Sequence, residues 1–133
     1  MSSPSANSIP AISVVVCTRN PRATVFRRVL DCLAAQAFPA AHWELIVVDN
    51  GSEPPVAVGE HSGPTSIRIV REPKPGLTPA RIRGIRAARG ELLIFVDDDN
   101  LLDSRYLEQA ARIAGEFPSI GAFGGRITPE FEV

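Results

Sequence analysis

Short apolar runs alternate along this chain with segments whose apolar residues follow helical spacing. Residues 12–17, 43–48 and 92–96 are three such runs, dominated by valine, isoleucine, leucine and aromatic residues. Runs of this kind are typical of strands that are covered on both faces. Because strands that alternate with helices usually form a parallel sheet, the pattern predicts an α/β domain: a mainly parallel sheet in a three-layer α/β/α arrangement.

Prolines, glycines and capping residues mark the ends of the remaining elements. Residues 67–70 are interpreted as a short strand, and the glycine-rich residues 120–127 as another, so about five strands are expected. The predicted helices cover residues 23–37, residues 79–88 with Thr78 as the N-cap, and residues 103–117.

Length and charge narrow the classes of protein to which the chain can belong. It has 133 residues, of which 44% are hydrophobic, enough for one domain with an ordinary core. The net charge of −1 provides no global field for binding nucleic acid. The longest uninterrupted apolar run, residues 92–96, is far shorter than a membrane span.

The first ten residues and the two cysteines suggest a cellular setting. Residues 1–10 are mostly serine, proline, asparagine and alanine, without the basic and apolar parts of a secretory signal. They are expected to be a disordered lead-in to a domain over residues 11–133. Cys17 and Cys32 are too few for a disulfide framework, so a reducing, cytoplasmic location is expected.

Polar clusters follow three of the predicted strands at the points where those strands end. They are Thr18-Arg19-Asn20, Asp49-Asn50 and the acidic run Asp97-Asp98-Asp99. The carboxyl ends of parallel strands meet at one edge of a sheet, and ligands bind beyond that edge. We therefore expect the three clusters to face a common site.

The acidic run has the chemistry of a divalent-cation site. Adjacent carboxylates repel one another unless a cation lies among them. Strand alternation sends Asp97 and Asp99 to one side and Asp98 to the other. Two oxygen ligands on one side suit Mg²⁺ or Mn²⁺ shared with substrate phosphates, whereas the alternative is a solvated acidic turn. Asp103 is interpreted separately, as a helix cap.

A basic segment lies between the second and third polar clusters. Residues 71–89 contain six basic residues and one acidic residue, a local charge of +5. Arg81 lies in the first turn of a predicted helix, where it and the helix N-terminus can meet a diphosphate. Arg86 and Arg89 are expected on a solvated helix face. Asp49 can either accept hydrogen bonds from a base or close an Asx turn.

The sequence resembles the inverting glycosyltransferases of family 2, which have the GT-A fold. The resemblance covers about residues 11–127, and the order and spacing of its motifs are specific. The matching segments are residues 14–20 (VVVCTRN), residues 46–52 (IVVDNGS), Gly76 with Ala80, Arg81 and Gly84, residues 88–91 (ARGE), residues 93–99 (LIFVDDD) and residues 121–125 (GAFGG).

The resemblance implies a Rossmann-like fold that binds a nucleotide-diphospho-sugar, most often a UDP-sugar. It also implies Mn²⁺ or Mg²⁺ as cofactor and transfer of the sugar to an acceptor hydroxyl with inversion. The residues it implies for the nucleotide are Thr18, Arg19 and Asp49, with Arg81 near the diphosphate and Asp97 near the ribose or sugar. Asp99 is implied as the metal ligand.

The sequence departs from the family pattern at two places. Ile82 stands where members often have asparagine. Members also continue beyond the point that matches Val133 into an acceptor-binding half that holds the acidic general base. Glu130 and Glu132 match no motif and are not assigned that role. We therefore expect the truncated, donor-binding part of an enzyme, and the alternative is a non-catalytic nucleotide-sugar-binding module or an inactive fragment.

Other classes of enzyme fit the residues less well. A Rossmann dehydrogenase needs a glycine-rich turn after its first strand, where this chain has Cys17-Thr18-Arg19-Asn20. A nucleotidyltransferase usually has a glycine-rich basic loop there. A phosphatase of the haloacid dehalogenase type needs a lysine after its aspartates, and the only lysine, Lys74, precedes them.

The expected partners follow from the resemblance. They are a nucleotide-sugar donor and an acceptor that is a sugar, a lipid or a protein, as in cell-wall or polysaccharide biosynthesis. No nucleic acid partner is expected. Peripheral association with the inner face of a membrane, through regions outside this chain, and homodimerisation both stay open.

Overall fold

The structure is a computed structural model that describes residues 11–59, 64 and 66–129. Over these residues the chain forms four strands: β1 (Ile12–Thr18), β2 (Trp43–Asp49), β3 (Ser66–Arg71) and β4 (Leu92–Asp97). The helices are α1 (Ala23–Ala34), α2 (Leu77–Ala87) and α3 (Tyr106–Glu116), with a short 3-10 turn at Ala40–His42. The expected lead-in at residues 1–10 lies outside the described residues.

The four strands form one sheet in the order β3-β2-β1-β4, with all three pairs parallel. Side chains on β1 alternate between the two faces: Val14 and Val16 pack towards α1 and α3, whereas Val15 packs towards α2. Each fully buried side chain of this size contributes about 1.5–3 kcal/mol. The predicted three-layer α/β/α architecture is confirmed.

The predicted fifth strand is wrong. Residues 120–127 form no strand, and Ile120, Phe123 and Ile127 are exposed. The glycines of this segment account for this, because they carry no side chains to pack on a sheet.

Strand β4 is also less buried than its apolar run predicts. Phe95 is 44% exposed, although its neighbours Ile94 and Val96 are buried. The cause is the position of α2, which packs on β1, β2 and β3 and leaves the same face of β4 open. An edge strand with an uncovered face has the same composition as a buried strand, so composition alone did not distinguish them.

The helix boundaries differ from the prediction by a few residues. Helix α1 ends at Ala34 because the Ala37 N–H donates to the Ser104 carbonyl at 2.7 Å, which turns the chain towards α3. Helix α2 begins at Leu77, so Thr78 is inside the helix and Gly76 is the N-cap. Gly76 has φ of 123°, a conformation that favours glycine.

A buried carboxylate lies at the amino-terminal edge of the sheet, away from the polar clusters. Glu44 accepts hydrogen bonds from the Ser13 hydroxyl at 2.6 Å, the Arg89 N–H at 2.8 Å and the Arg68 guanidinium at 2.7 Å. Arg68 also donates to the Ala87 carbonyl at 2.7 Å. These contacts attach the end of α2 to β1, β2 and β3.

Replacing Gly84 by alanine is expected to lower the free energy of unfolding by about 1–3 kcal/mol. Gly84 is buried in α2, and a Cβ there would overlap Val15 and press on Val48 at 3.3 Å. This overlap outweighs the gain of about 1 kcal/mol in helix propensity. Gly115→Ala in α3 is the matched control, since a Cβ there meets nothing within 4 Å and should be stabilising. Denaturant unfolding measures both; a stabilised Gly84→Ala variant would contradict the packing.

Candidate functional site

The end of each of β1, β2 and β4 brings a polar cluster to one edge of the sheet. Thr18 pairs in register with Asp49 on β2, and Cys17 pairs with Asp97 on β4. The Asn50 N–H donates to the Thr18 carbonyl at 2.9 Å, which continues the pairing past the strand ends. The expected convergence of the three clusters is therefore present in the structure.

An open cavity of about 240 Å³ lies at this edge. One wall comes from the end of β1 and the turn after β4, and the other comes from the start of α2. Its lining residues are Cys17, Thr18, Arg19, Asn50, Gly76, Leu77, Ala80 and Asp98. The cavity thus combines hydroxyl, amide and carboxylate groups with the first turn of a helix that has no side-chain cap.

Asp98 points into the site, contrary to the prediction from strand alternation. The Thr18 hydroxyl donates to its carboxylate at 2.7 Å, and the pair forms part of the cavity wall. Strand β4 ends at Asp97, and the Asn100 N–H closes a turn onto the Asp97 carbonyl at 3.1 Å. Side chains do not alternate within a turn, so the spacing of the aspartates could not predict the direction of the Asp98 side chain.

Asp97 and Asp99 are exposed beside the cavity. In the part of the chain that the structure describes, no three histidine, cysteine, aspartate or glutamate side chains are grouped to hold a metal ion. Two carboxylates that share a cation with phosphate oxygens still suit the coordination of Mg²⁺ or Mn²⁺. The donor set therefore fits a cation that arrives with a diphosphate.

Asp49 is fully buried and closes the turn after β2. Its carboxylate accepts the Ser52 N–H at 2.9 Å and the Val56 N–H at 3.0 Å, and Arg71 lies 3.6 Å away. Burial raises the pKa of Asp49, but the hydrogen bonds and Arg71 outweigh burial and lower that pKa below its ordinary value. This geometry supports the Asx-turn alternative, and direct contact with a base stays a prediction.

Arg81 is the fifth residue of α2, so it lies beyond the first turn in which it was predicted, and it lies on the open face of β4. Its guanidinium carbon is 5.9 Å from the centre of the Phe95 ring, within the range of a cation–π contact. Burial raises the pKa of the Cys17 thiol, while the charge of Arg81 lowers it and the charges of Asp97 and Asp98 raise it. Arg19 is exposed at the cavity rim.

Hydrogen bonds between loops hold the walls of the site. The Asn20 N–H donates to the Ser52 hydroxyl at 2.8 Å, and the Glu53 N–H donates to the Asn20 side chain at 2.9 Å. Asn50 bonds to the loop before α2. The sequence placed Asn20 and Asn50 in the polar clusters at this edge but did not predict their partners, which are 22 to 33 residues distant in the chain.

Comparison with known proteins places these features in context. The family model described as glycosyl transferase family 2 matches residues 13–132. EpsH of Bacillus subtilis is 33% identical over 110 residues, which are 80% of this chain and 31% of that protein. An N-acetylglucosaminyltransferase of Rhizobium sp. strain N33 is 30% identical over 124 residues, or 90% of this chain and 27% of that protein.

Solved structures with the same fold include TarS of S. aureus. TarS 1-349 in complex with UDP-GlcNAc superposes with a TM-score of 0.64 at 25% identity, over 90% of this chain and 37% of that chain. The same TarS segment in another crystal structure superposes with a TM-score of 0.68 at 24% identity, over 90% of this chain and 38% of that one. The chain spans about a third of the length of these matches.

Proposed function

Because the chain belongs to glycosyltransferase family 2, we propose that it binds the nucleotide-sugar donor of a glycosyl transfer. The observation that carries this proposal is the cavity between the Thr18–Asp98 pair and the first turn of α2. The N–H groups at the start of a helix favour a phosphate group, and the neighbouring hydroxyl and carboxylate can bind a ribose. A nucleoside diphosphate presents both groups.

Within this site we assign roles to the residues that surround the cavity. Thr18 and Arg19 contact the nucleoside, and Arg81 lies on the diphosphate side. Asp97 faces the ribose or the sugar. Asp49 shapes the base side by holding Ser52 and Val56, and its own contact with the base is part of the same proposal. UDP is the proposed nucleotide, because TarS 1-349 was solved with UDP and with UDP-GlcNAc.

We propose that Asp99, with Asp97 beside it, holds Mn²⁺ or Mg²⁺ together with the diphosphate. When bound, the cation supplies positive charge that stabilises the leaving nucleoside diphosphate. Because the described residues hold no ready-made group of three ligands, cation and nucleotide are expected to bind together rather than separately. No helix in the described part of the chain is long and apolar enough to span a bilayer.

The whole protein is proposed to transfer the sugar to an acceptor hydroxyl by direct displacement with inversion. That reaction needs an acidic group to remove the proton of the hydroxyl. No residue of this chain is assigned that role, and Glu130 and Glu132 lie outside the described residues. A nucleotide-sugar-binding module without catalysis is the second candidate, in which the cavity binds the donor and no described residue of this chain acts as the base.

Calorimetric titration of the chain with UDP tests the donor site. Binding in the presence of Mn²⁺ is expected to be at least about tenfold tighter than in EDTA, which is about 1.4 kcal/mol. Uridine, which lacks the diphosphate, is the control and should bind equally in both conditions. Titrations with GDP and dTDP identify the preferred base. A folded chain that binds none of these nucleotides would contradict the proposed function.

A further inference from the structure

We propose that Asn50 is a positioning residue that holds one wall of the donor cavity in place. It does so by bonding to the loop of residues 72–76, which leads from β3 into the first turn of α2. The inference rests on the proposed function, because the wall in question is the one that faces the nucleotide. Asn50 therefore affects nucleotide binding by fixing the position of this loop.

The side chain of Asn50 uses its whole amide group on this loop. Its Nδ2 donates to the carbonyls of Glu72 and Lys74, each at 2.8 Å, and its Oδ1 accepts the Gly76 N–H at 3.0 Å. Asn50 is only 8% exposed, so water does not readily replace these bonds. Two carbonyl acceptors and one N–H donor fix which end of the amide faces which partner.

The loop depends on these bonds for its shape. Residues 72–76 lie between β3 and α2 and belong to neither element. The other side-chain group that supports the loop is the Glu72 carboxylate, which accepts the Lys74 N–H at 3.1 Å in an exposed position. Gly76 has φ of 123°, so the chain takes a sharp turn just before the helix begins. Without Asn50, two carbonyls and one N–H of the loop lose their protein partner.

The end of the loop and the start of α2 form part of the cavity wall. Gly76, Leu77 and Ala80 line the cavity on the side opposite the Thr18–Asp98 pair. A displacement of the loop therefore moves the first turn of α2 relative to the end of β1. A binding site must hold its groups within about 0.5 Å of the productive geometry, so a wall that is misplaced by about 1 Å weakens binding. The side chain that holds the loop thus controls the width of the site.

The decisive variant is Asn50→Asp, which has the same size but no N–H. A carboxylate would face the Glu72 and Lys74 carbonyls, so the loop is expected to move away. Amide hydrogen exchange of residues 72–77 in the ligand-free chain should accelerate. UDP affinity in Mn²⁺ should fall between about 10-fold and 100-fold. Because Asn50 also lines the cavity, a carboxylate there would itself repel a diphosphate. Asn50→Ala removes the same bonds without adding a charge, so it must also lose affinity for UDP, and it replaces the aspartate variant if that variant does not fold.

Gln36→Glu is the matched control. Gln36 makes the same kind of contact elsewhere: its Nε2 donates to the carbonyls of Cys32 at 3.2 Å and Asp103 at 2.7 Å, and its Oε1 accepts the Leu107 N–H at 3.1 Å. It does not line the cavity. The control variant should lose thermal stability and keep its affinity for UDP.

A double-mutant cycle separates positioning from direct contact. Gly76→Ala strains the same loop, because alanine rarely adopts this φ and its Cβ would lie 3.3 Å from Pro79. If Asn50 acts through the loop, the affinity lost in the double variant is smaller than the product of the two single losses. Multiplying losses, or unchanged exchange or affinity in Asn50→Asp, would overturn the inference. A wild-type chain that binds no UDP would instead overturn the proposed function.

Discussion

Replacing Glu44 by alanine is expected to lower the free energy of unfolding by about 3 kcal/mol, because removing one partner of a buried ion pair leaves the other without compensation. Glu44 is 1% exposed, whereas the side chain of Arg68 is 28% exposed and can recover some hydration. This exposure places the effect at the lower end of the range of about 3–5 kcal/mol for such pairs. The loss is large beside a total stability of about 5–15 kcal/mol.

Urea unfolding at pH 7 measures this change, and Asp31→Ala is the matched control. Asp31 pairs with Arg27 at 3.3 Å on the surface of α1, with both side chains more than half exposed. An exposed pair of this kind is worth less than about 1 kcal/mol. If the two variants lost equal free energy of unfolding, the bonds of Glu44 to Ser13, Arg68 and Arg89 would stabilise the fold no more than an exposed ion pair does.

The pKa of Glu44 predicts how the free energy of unfolding depends on pH. Burial raises the pKa of Glu44, but hydrogen bonds from Ser13, Arg89 and Arg68 outweigh burial and lower that pKa below its ordinary value of 4.5. The stabilisation is therefore fully present above about pH 4.5 and is lost as the pH falls through the folded-state pKa. Glu44→Gln should be less stable at pH 7 and show a shallower loss of stability below pH 4.5.

Replacing Asp99 by alanine is expected to weaken UDP binding in Mn²⁺ by at least about tenfold, the same factor by which EDTA weakens the wild-type, because a cation with few protein ligands depends on each of them. Asp99 is exposed beside the cavity, so the variant should fold normally. In EDTA the wild-type and the variant should bind UDP equally weakly. Calorimetric titration in both conditions, with circular dichroism to verify folding, measures the effect.

Asp103→Ala is the control for this prediction. Asp103 is a nearby exposed aspartate that accepts the Arg105 N–H at 2.9 Å ahead of α3, away from the cavity. The predicted cap at Asp103 is wrong, since the N-cap of α3 is Arg105 without a side-chain cap bond; loss of the exposed Asp103 bond should cost at most about 1 kcal/mol of stability and leave UDP affinity unchanged. An Asp99→Ala variant with wild-type affinity would refute the metal assignment. If Asp98→Ala alone lost the metal dependence, the ligand would be Asp98.

The composition of the apolar runs predicted most of the sheet. Each of the four strands that form was expected within one residue at either end, because β-branched runs bounded by turn residues have few other stable conformations. The segment at residues 120–127 also has apolar residues near turn residues, but three of its eight residues are glycine, and it forms no strand. Glycine carries no side chain to pack on a sheet, so this segment does not add to β4 although the outer edge of that strand is unpaired in the described part of the chain.

The polar residues of the candidate site were predicted to different degrees. Thr18 and the acidic run Asp97-Asp98-Asp99 were expected at the carboxyl edge of the sheet because they come at the ends of strands, and they lie at that edge. The inward orientation of Asp98 was missed, since it depends on the residue at which β4 ends. The bonding of Asn50 to Glu72 and Lys74 was missed as well, since it joins two loops that are distant in the chain.

The sequence by itself determined the α/β class, the parallel order of its elements and the edge at which its polar residues collect. These properties follow from side-chain periodicity and turn chemistry, which act over a few residues. Only the tertiary structure decided which side chains meet: Thr18 with Asp98, Glu44 with Arg68, and Asn50 with the loop before α2. Those partners lie 22 to 80 residues apart, and a local pattern holds no information on such distances.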